Sequence, residues 1–391
     1  MLYHKHTYLI WLLSLSTILT SFYLLQIGKS YAPNISFFNN NNYFQFNSTN
    51  AYNIIETQLN FGFRIPGTES SKNCGDYFIE HINTISPTLP IFQHNFSVNT
   101  INCRNFLITI NPNNPRIIIL GAHYDSRAIS EKDPTVDKRN EPCPGANDGA
   151  SGVATLLELI RIFYEKRESL NCSIWILLFD AEDQGNGALS GWDWCEGSKK
   201  FVENINNYYN PETQSIEAMI LLDMVGGINL EFINELNSNM LLLGELFEIG
   251  RSLGFLDAFP SDPVSNAITD DHLPFKELEI PVADLIINFW SPSSPWPYHH
   301  TTSDNISHIS LGSLEITGKT VEKFIYNHYF NSPEYENDSG YYPWKDINGN
   351  FNLDITYYII FFVLIVGIGI SLIIIKKRNK FQKPNNKIKL K

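Results

Sequence analysis

None of the five cysteines (Cys74, Cys103, Cys143, Cys172 and Cys195) stands in a Cys-x-x-Cys pair. That absence argues against a thiolate zinc site. In an exported chain one or two disulfides are open to these thiols, with at least one thiol left over, and their spacing does not fix the pairing. Basic charge is also scarce: 28 Lys and Arg stand against 41 Asp and Glu, a net charge of −13. This balance argues against a nucleic-acid partner. The shortage is uneven, since everything after Ile375 is Lys-rich and contains no acid. The 391 residues show no internal repeat, and no linker long enough to divide the centre of the chain.

Two stretches lack charge altogether. Ile355 to Ile375 carries none, and Lys376, Lys377 and Arg378 follow at once. A helix needs about 20 residues to cross a bilayer, so this run is expected to span one. The flanking positive charge is expected to hold the tail in the cytoplasm, with everything upstream on the outer side. Thr7 to Gly28 is likewise apolar and uncharged. It reads as a signal peptide or, on its length, as an uncleaved anchor, and either one exports the centre of the chain. The expected organisation is a signal anchor or signal peptide over 1–30 and an Asn-rich spacer over 31–50. One globular domain over 51–331 follows, then a polar spacer over 332–354, a transmembrane helix over 355–375 and a basic cytoplasmic tail over 376–391. The expected localisation is the membrane, with the bilayer as a partner through the terminal helices and the central domain extracytoplasmic.

What is present in the centre is ample apolar material, 43% of the chain, with 13% aromatic residues. Short runs without polar alternation occur at 116–120, 173–179, 218–222 and 281–287. Such runs suit strands covered on both faces. Between them, 151–166, 240–253 and 313–329 repeat apolar side chains at three- and four-residue spacing, as amphipathic helices do. The alternation predicts an α/β fold: a three-layer α/β/α sandwich with a mainly parallel, mixed central sheet, plus the N- and C-terminal transmembrane segments.

Carboxylates and histidines gather where these strands end. His123 follows the first run, Asp180-Ala181-Glu182-Asp183 the second and Asp223 the third, while Asp148 precedes a helix and His300 lies in a late loop. Imidazole and carboxylate are the ligands that hold Zn²⁺ outside thiolate sites, and strand ends on one edge of an open sheet bring such groups together. His123, Asp148, Asp183, Asp223 and His300 form a ligand set for one or two zinc ions, with Asp148 the candidate bridge. Glu182, next to Asp183, is the candidate proton carrier, since a carboxylate in a dry cleft near a cation suits acid/base work.

Several motifs in this order carry a resemblance: His123-Tyr124-Asp125-Ser126, Gly145-Ala146-Asn147-Asp148-Gly149-Ala150-Ser151-Gly152, Phe179-Asp180-Ala181-Glu182-Asp183-Gln184-Gly185 and His300-Thr301-x-x-Asp304. Together they resemble the superfamily of zinc aminopeptidases and glutaminyl-peptide cyclotransferases, over roughly residues 60 to 329. Leu222-Asp223-Met224-Val225-Gly226-Gly227, Thr269-Asp270-Asp271-His272-Leu273-Pro274-Phe275 and Trp192-Asp193-Trp194-Cys195-Glu196-Gly197-Ser198 look closest to the glutaminyl cyclotransferases, particularly bacterial ones of the animal type.

The resemblance implies a domain that converts the N-terminal Gln of peptides or proteins to pyroglutamate with release of ammonia. It implies one zinc ion on Asp148, Asp183 and His300, with Glu182 as acid and base and with Asp223 and Asp270 in the surrounding hydrogen-bond network. Asp284 fits that network too, whereas Asp271 and His272 are left without assigned chemistry. The competing branch is a di-zinc aminopeptidase, with a second ion on His123 and Asp223; a catalytically silent peptide-binding ectodomain is the third reading. One departure concerns the pocket. Such cyclotransferases usually place Trp before the zinc-binding His, and this chain has His299 there. His299, Asp284 and Trp290 are the expected substrate-binding residues.

Overall fold

Asn47 opens the folded chain by accepting hydrogen bonds from Thr49 N and Asn50 N, the capping that starts a helix. The computed structural model describes residues 44–290 and 294–330. The expected anchor, the spacer over 332–354, the transmembrane helix and the basic tail lie outside these residues. Among the described residues no helix is long and apolar enough to cross a membrane.

Helix α1 (Ser48–Asn60) and α2 (Glu69–Ile85) precede a hairpin of β1 (Ile91–Val98) and β2 (Ile101–Ile110). Then come β3 (Arg116–His123), α3 (Ala150–Glu165), β4 (Ser173–Phe179), α4 (Glu196–Glu203) and β5 (Ser215–Asp223). The short strands β6 (Asn234–Glu235) and β7 (Ser265–Asn266) flank α5 (Met240–Ser252), and α6 (Leu273–Glu277), β8 (Val282–Ile286) and α7 (Leu311–Tyr329) complete the order.

The main sheet runs β1-β2-β4-β3-β5-β8. β4, β3, β5 and β8 are parallel to their neighbours, and the β1–β2 hairpin joins β4 antiparallel. The expected mixed, mainly parallel sheet is therefore present. Alternate residues of β3 serve different cores: Ile118, Leu120 and Ala122 join the one that includes α3 and α7, while Ile117 and Ile119 meet Phe201 of α4 and Phe275 of α6. Helices therefore cover both faces of the sheet, which is why β3, β4 and β5 are apolar without alternation. The hairpin escapes the same reading because β1 alternates in burial. Its two-residue turn at Asn99 and Thr100 takes positive φ (45° and 73°) without the Asn-Gly signature of such turns.

Two expectations need correction. Helix α1 begins inside the stretch assigned to the spacer over 31–50, and the fold takes in residues ahead of 51. Gln45 N and Phe46 N donate to the buried Glu322 carboxylate on α7, at 2.9 and 3.1 Å. Polar Asn-rich sequence reads as linker, but here it supplies a helix cap and a buried anchor. The disulfides left open by export do not form: all five cysteines are buried free thiols.

Arg64 pins the loops beneath the site edge. It is fully buried, and its guanidinium donates to the carbonyls of Tyr124, Pro144 and Gly145. Arg64→Met leaves those three acceptors without their donor, at about 1–3 kcal/mol for each buried group left unmade. The variant is expected to lose at least ~3 kcal/mol of stability, read from the urea unfolding midpoint. A midpoint equal to that of the parent protein would show that water replaces the guanidinium.

Candidate metal and proton-transfer site

The parallel strands deliver their side chains to one edge. His123 is the last residue of β3 and Asp223 the last of β5, while the turn after β4 carries Asp180 to Asp183. That turn is tight, with Ala181 at φ 63°. Asp148 and His300 arrive differently, on loops that do not directly follow a long strand. Gly149, at φ 98°, lets the chain turn from Asp148 into α3, and its missing Cβ leaves room for the Asp125 carbonyl. Gly152 seats that helix against the sheet, since a Cβ there would lie 2.1 Å from the Leu222 carbonyl oxygen.

His123 Nε2 lies 3.1 Å from Asp148 Oδ1 and 3.2 Å from Asp223 Oδ1. His300 Nε2 lies 3.1 Å from Asp183 Oδ1 and 3.9 Å from Asp148 Oδ2, and His299 Nε2 is also 3.9 Å from Asp148 Oδ2. Asp148 therefore faces two histidine groups: His123 with Asp223 on one side, His299 and His300 on the other, with the ligand atoms of each group within 4.8 Å of one another. All five expected ligands meet at one edge, and His299 is a further nitrogen beside them.

Supporting residues fix these side chains. Asp125 lies 3.3 Å from His123 Nδ1 and also accepts from Glu182 N, Asp183 N and Gln184 Nε2. Glu131 lies 2.6 Å from His300 Nδ1 and also accepts from Arg127 Nε. Arg127 in turn donates to Asp183 Oδ1 and the Asp183 carbonyl, and its guanidinium lies over the Trp194 ring. Asp304 accepts from the backbone N–H groups of Asn147 and Asp148. Carboxylates behind metal-binding imidazoles set ring orientation and basicity. Sequence alone assigns no role to Asp125, Glu131 or Arg127. The His-x-Asp spacing of His123 and Asp125 holds a usable signal, but nothing in the sequence joins Glu131 to His300.

Glu182 and Asp183 diverge. Asp183 turns to His300, while Glu182 Oε1 accepts from the Cys195 thiol at 3.3 Å and groups with Asp270. Burial first, then the negative charge of Asp270 and Asp183 against the pull of His123, raises the Glu182 pKa well above the usual carboxylate range. Burial and neighbouring carboxylates push Asp223 up to about 6 and Asp270 to about 8. Burial disfavours charge on His123, yet Asp125, Asp148 and Asp223 raise its pKa well above the ordinary value. Burial likewise opposes ionisation of Glu131, but His300 and Arg127 hold it down to about 2.

The remaining expected residues are spread around this centre. Asp284 is fully buried on β8 and groups with Asp270 and His272. The His299 ring lies tilted against His300 with centroids 3.6 Å apart and lies 4.3 Å from Phe289, with Nδ1 2.6 Å from Lys132 Nζ. Trp290 is 63% exposed and meets Phe289 edge-on, so it stands at the rim. Trp296, on the same loop, is fully buried.

These residues fit zinc. The donors are imidazole nitrogens and carboxylate oxygens, the N/O set that suits the ion. Asp183 Oδ2 is buried with no hydrogen-bond partner, an orphaned acceptor beside His300.

Known proteins share the fold. The chain is 33% identical to a Zn-dependent exopeptidase from Parabacteroides distasonis, covering 72% of this chain and 99% of that one with a TM-score of 0.66. It is 31% identical to a Bacteroides thetaiotaomicron glutaminyl cyclase, covering 73% of this chain and 99% of that one, also with a TM-score of 0.66. Aminopeptidase YwaD of Bacillus subtilis is 29% identical over 218 residues, a match that takes in 55% of this chain but only 42% of that relative's length. Residues 105–325, which hold the sheet edge and nearly every side chain described above, match the model for peptidase family M28, and the chain belongs to that family.

Proposed function

We propose that the chain is a zinc-dependent glutaminyl-peptide cyclotransferase, which turns an N-terminal Gln into pyroglutamate and releases ammonia. The observation that carries the enzymatic part of this reading is the divergence of two adjacent carboxylates: Asp183 turns to His300, and Glu182 turns to the buried acids around Asp270. Likeness to a bacterial glutaminyl cyclase along nearly all of that protein's length supports it.

Asp148, Asp183 and His300 would hold one zinc ion, whose chemistry is to polarise the carbonyl of the substrate's side-chain amide. Glu182 takes a proton from the peptide's α-amine, and that nitrogen attacks the amide carbon. Glu182 then returns the proton to the departing amide nitrogen. One C–N bond forms, one breaks, and ammonia leaves. Burial strengthens the Glu182 carboxylate as a base once it is ionised. Asp270, which groups with Glu182, and Asp223, which acts on Asp270, raise the proton affinity around Glu182, and His299 and Trp290 form the side of the pocket where the peptide enters.

One observation favours a second reading. His123, Asp148 and Asp223 form a group of their own within 4.8 Å, and Asp148 belongs to both groups. With an ion there as well, Glu182 would take its proton from water and the chain would act as an aminopeptidase. A peptide that begins with Gln distinguishes the two by mass spectrometry. Loss of one ammonia at constant length is the expected result; stepwise shortening assigns the chain to the hydrolases. Zinc counted per chain adds to this, one ion favouring the cyclotransferase and two the hydrolase.

The proposed setting is a membrane tether with the catalytic domain outside the cytoplasm and the tail 376–391 within it. The uncharged runs 7–28 and 355–375 and the Lys and Arg cluster after them support it. The last described residue, Phe330, bridges Leu170 ahead of β4, at the edge opposite His123 and Asp223. Protease added to intact cells is expected to digest the central domain and spare the tail; a protected domain would refute the orientation.

A further inference from the structure

Seven of the buried side-chain atoms that lack a hydrogen-bond partner belong to four residues, Asp270, Asp271, His272 and Asp284. Such a concentration is unusual in a native interior, where buried polar groups are nearly all paired. Asp270, His272 and Asp284 offer ligand atoms within 4.8 Å of one another, and Asp270 also reaches the group of Glu182 and Cys195. The cluster thus runs from the proton carrier into the protein.

Its inner end is anchored. Glu235 accepts from Asn237 N and Ile268 N on one oxygen and from Ser238 N and Ser238 Oγ on the other. Ser238 Oγ also accepts from Asp284 N on β8. His272 lies between the two acids, with Nε2 3.3 Å from Glu235 Oε2 and Nδ1 3.8 Å from Asp284 Oδ2. All three side chains are fully buried. Glu235 is already saturated by the loop around it, so His272 adds little to its satisfaction. Asp284 has the Asp270 carboxyl beside it, and His272 is the one basic group set against it among the described residues.

We propose that His272, held by Glu235, is a positioning residue: it fixes Asp284, and through it Asp270, in the place from which Asp270 faces Glu182. The inference rests on the reading of Glu182 as proton carrier. It gives a role to His272 and Glu235, which neither bind the expected zinc nor touch the substrate.

His272→Gln in the full chain keeps an amide toward Glu235 and withdraws the group facing Asp284. Its kcat on a peptide beginning with Gln is expected to fall by about 10–100-fold, the usual cost of losing a residue behind a reacting group. KM is expected to stay within about twofold, with zinc per chain unchanged, a split that a merely structural role would not give. In an Asp270→Asn background His272→Gln is expected to add less than about twofold, because residues acting through one partner are not additive. A kcat in His272→Gln within about twofold of the parent overturns the proposal, as does a full multiplicative loss on Asp270→Asn. Where His272→Gln does not fold, Glu235→Gln preserves the shape and removes the anchoring charge, and the same loss of kcat is expected. An inert Glu182→Gln beside an unaffected His272→Gln overturns this inference alone; a fully active Glu182→Gln overturns it together with the proposed function.

Discussion

Glu182→Gln is expected to lower kcat by about 10²–10⁴-fold, the range that a positioned acid or base contributes, with zinc content unchanged. The substitution preserves the size of the side chain and removes its ability to carry a proton. Glu182 N remains free to donate to Asp125, and the new amide can still meet the Cys195 thiol, so the turn after β4 keeps its form. No group within reach replaces the lost carboxyl cleanly. Asp270 is nearest in the cluster, but it is buried and pushed up to about 8, so it is a poor ionised acceptor at neutral pH. Rates with the Gln-initiated peptide and zinc by elemental analysis together decide the matter. Full activity in this variant would remove Glu182 from the mechanism.

Asp183→Ala is expected to do the opposite to the metal. Zinc affinity should fall by more than ~100-fold, because even residues behind the ligands cost about 10–100-fold when removed. Activity falls with it and returns only in part at high zinc concentration. The fold should survive. Arg127, which loses its bond to Asp183 Oδ1, still donates to Glu131 and to the carbonyls of Asp183 and Gly185. A folded chain with little zinc is therefore the expected state. Unchanged zinc in Asp183→Ala, together with zinc loss in Glu182→Gln, would mean that the two neighbours exchange roles.

Much of this site is legible in the sequence. The apolar runs at 116–120, 173–179 and 218–222 are strands, and the residues that follow them are the site residues, because a parallel sheet presents every strand's carboxyl end on one edge. The supporting residues are less legible. Glu131 meets His300 across 169 positions, and Glu235 meets His272 through a two-stranded ladder of two residues per strand. Neither pair shows a period, a motif or a local spacing. The β1–β2 hairpin escapes the sequence for a related reason: half-exposed alternation looks the same in an edge strand and in a loop, and only pairing with β4 decides between them.

The sequence by itself determined the sheet's central strands, the family and the candidate ligand residues, because buried strands and the short motifs at their ends leave marks in the chain itself. Tertiary structure alone decided that Asp148 faces two histidine groups, that Glu182 and Asp183 point apart, and that His272 lies between Glu235 and Asp284. Those facts depend on the direction in which loops from distant strands turn at the sheet edge. That direction is fixed by packing and by residues such as Arg64 and Asp304, which hold the loops from outside their own sequence.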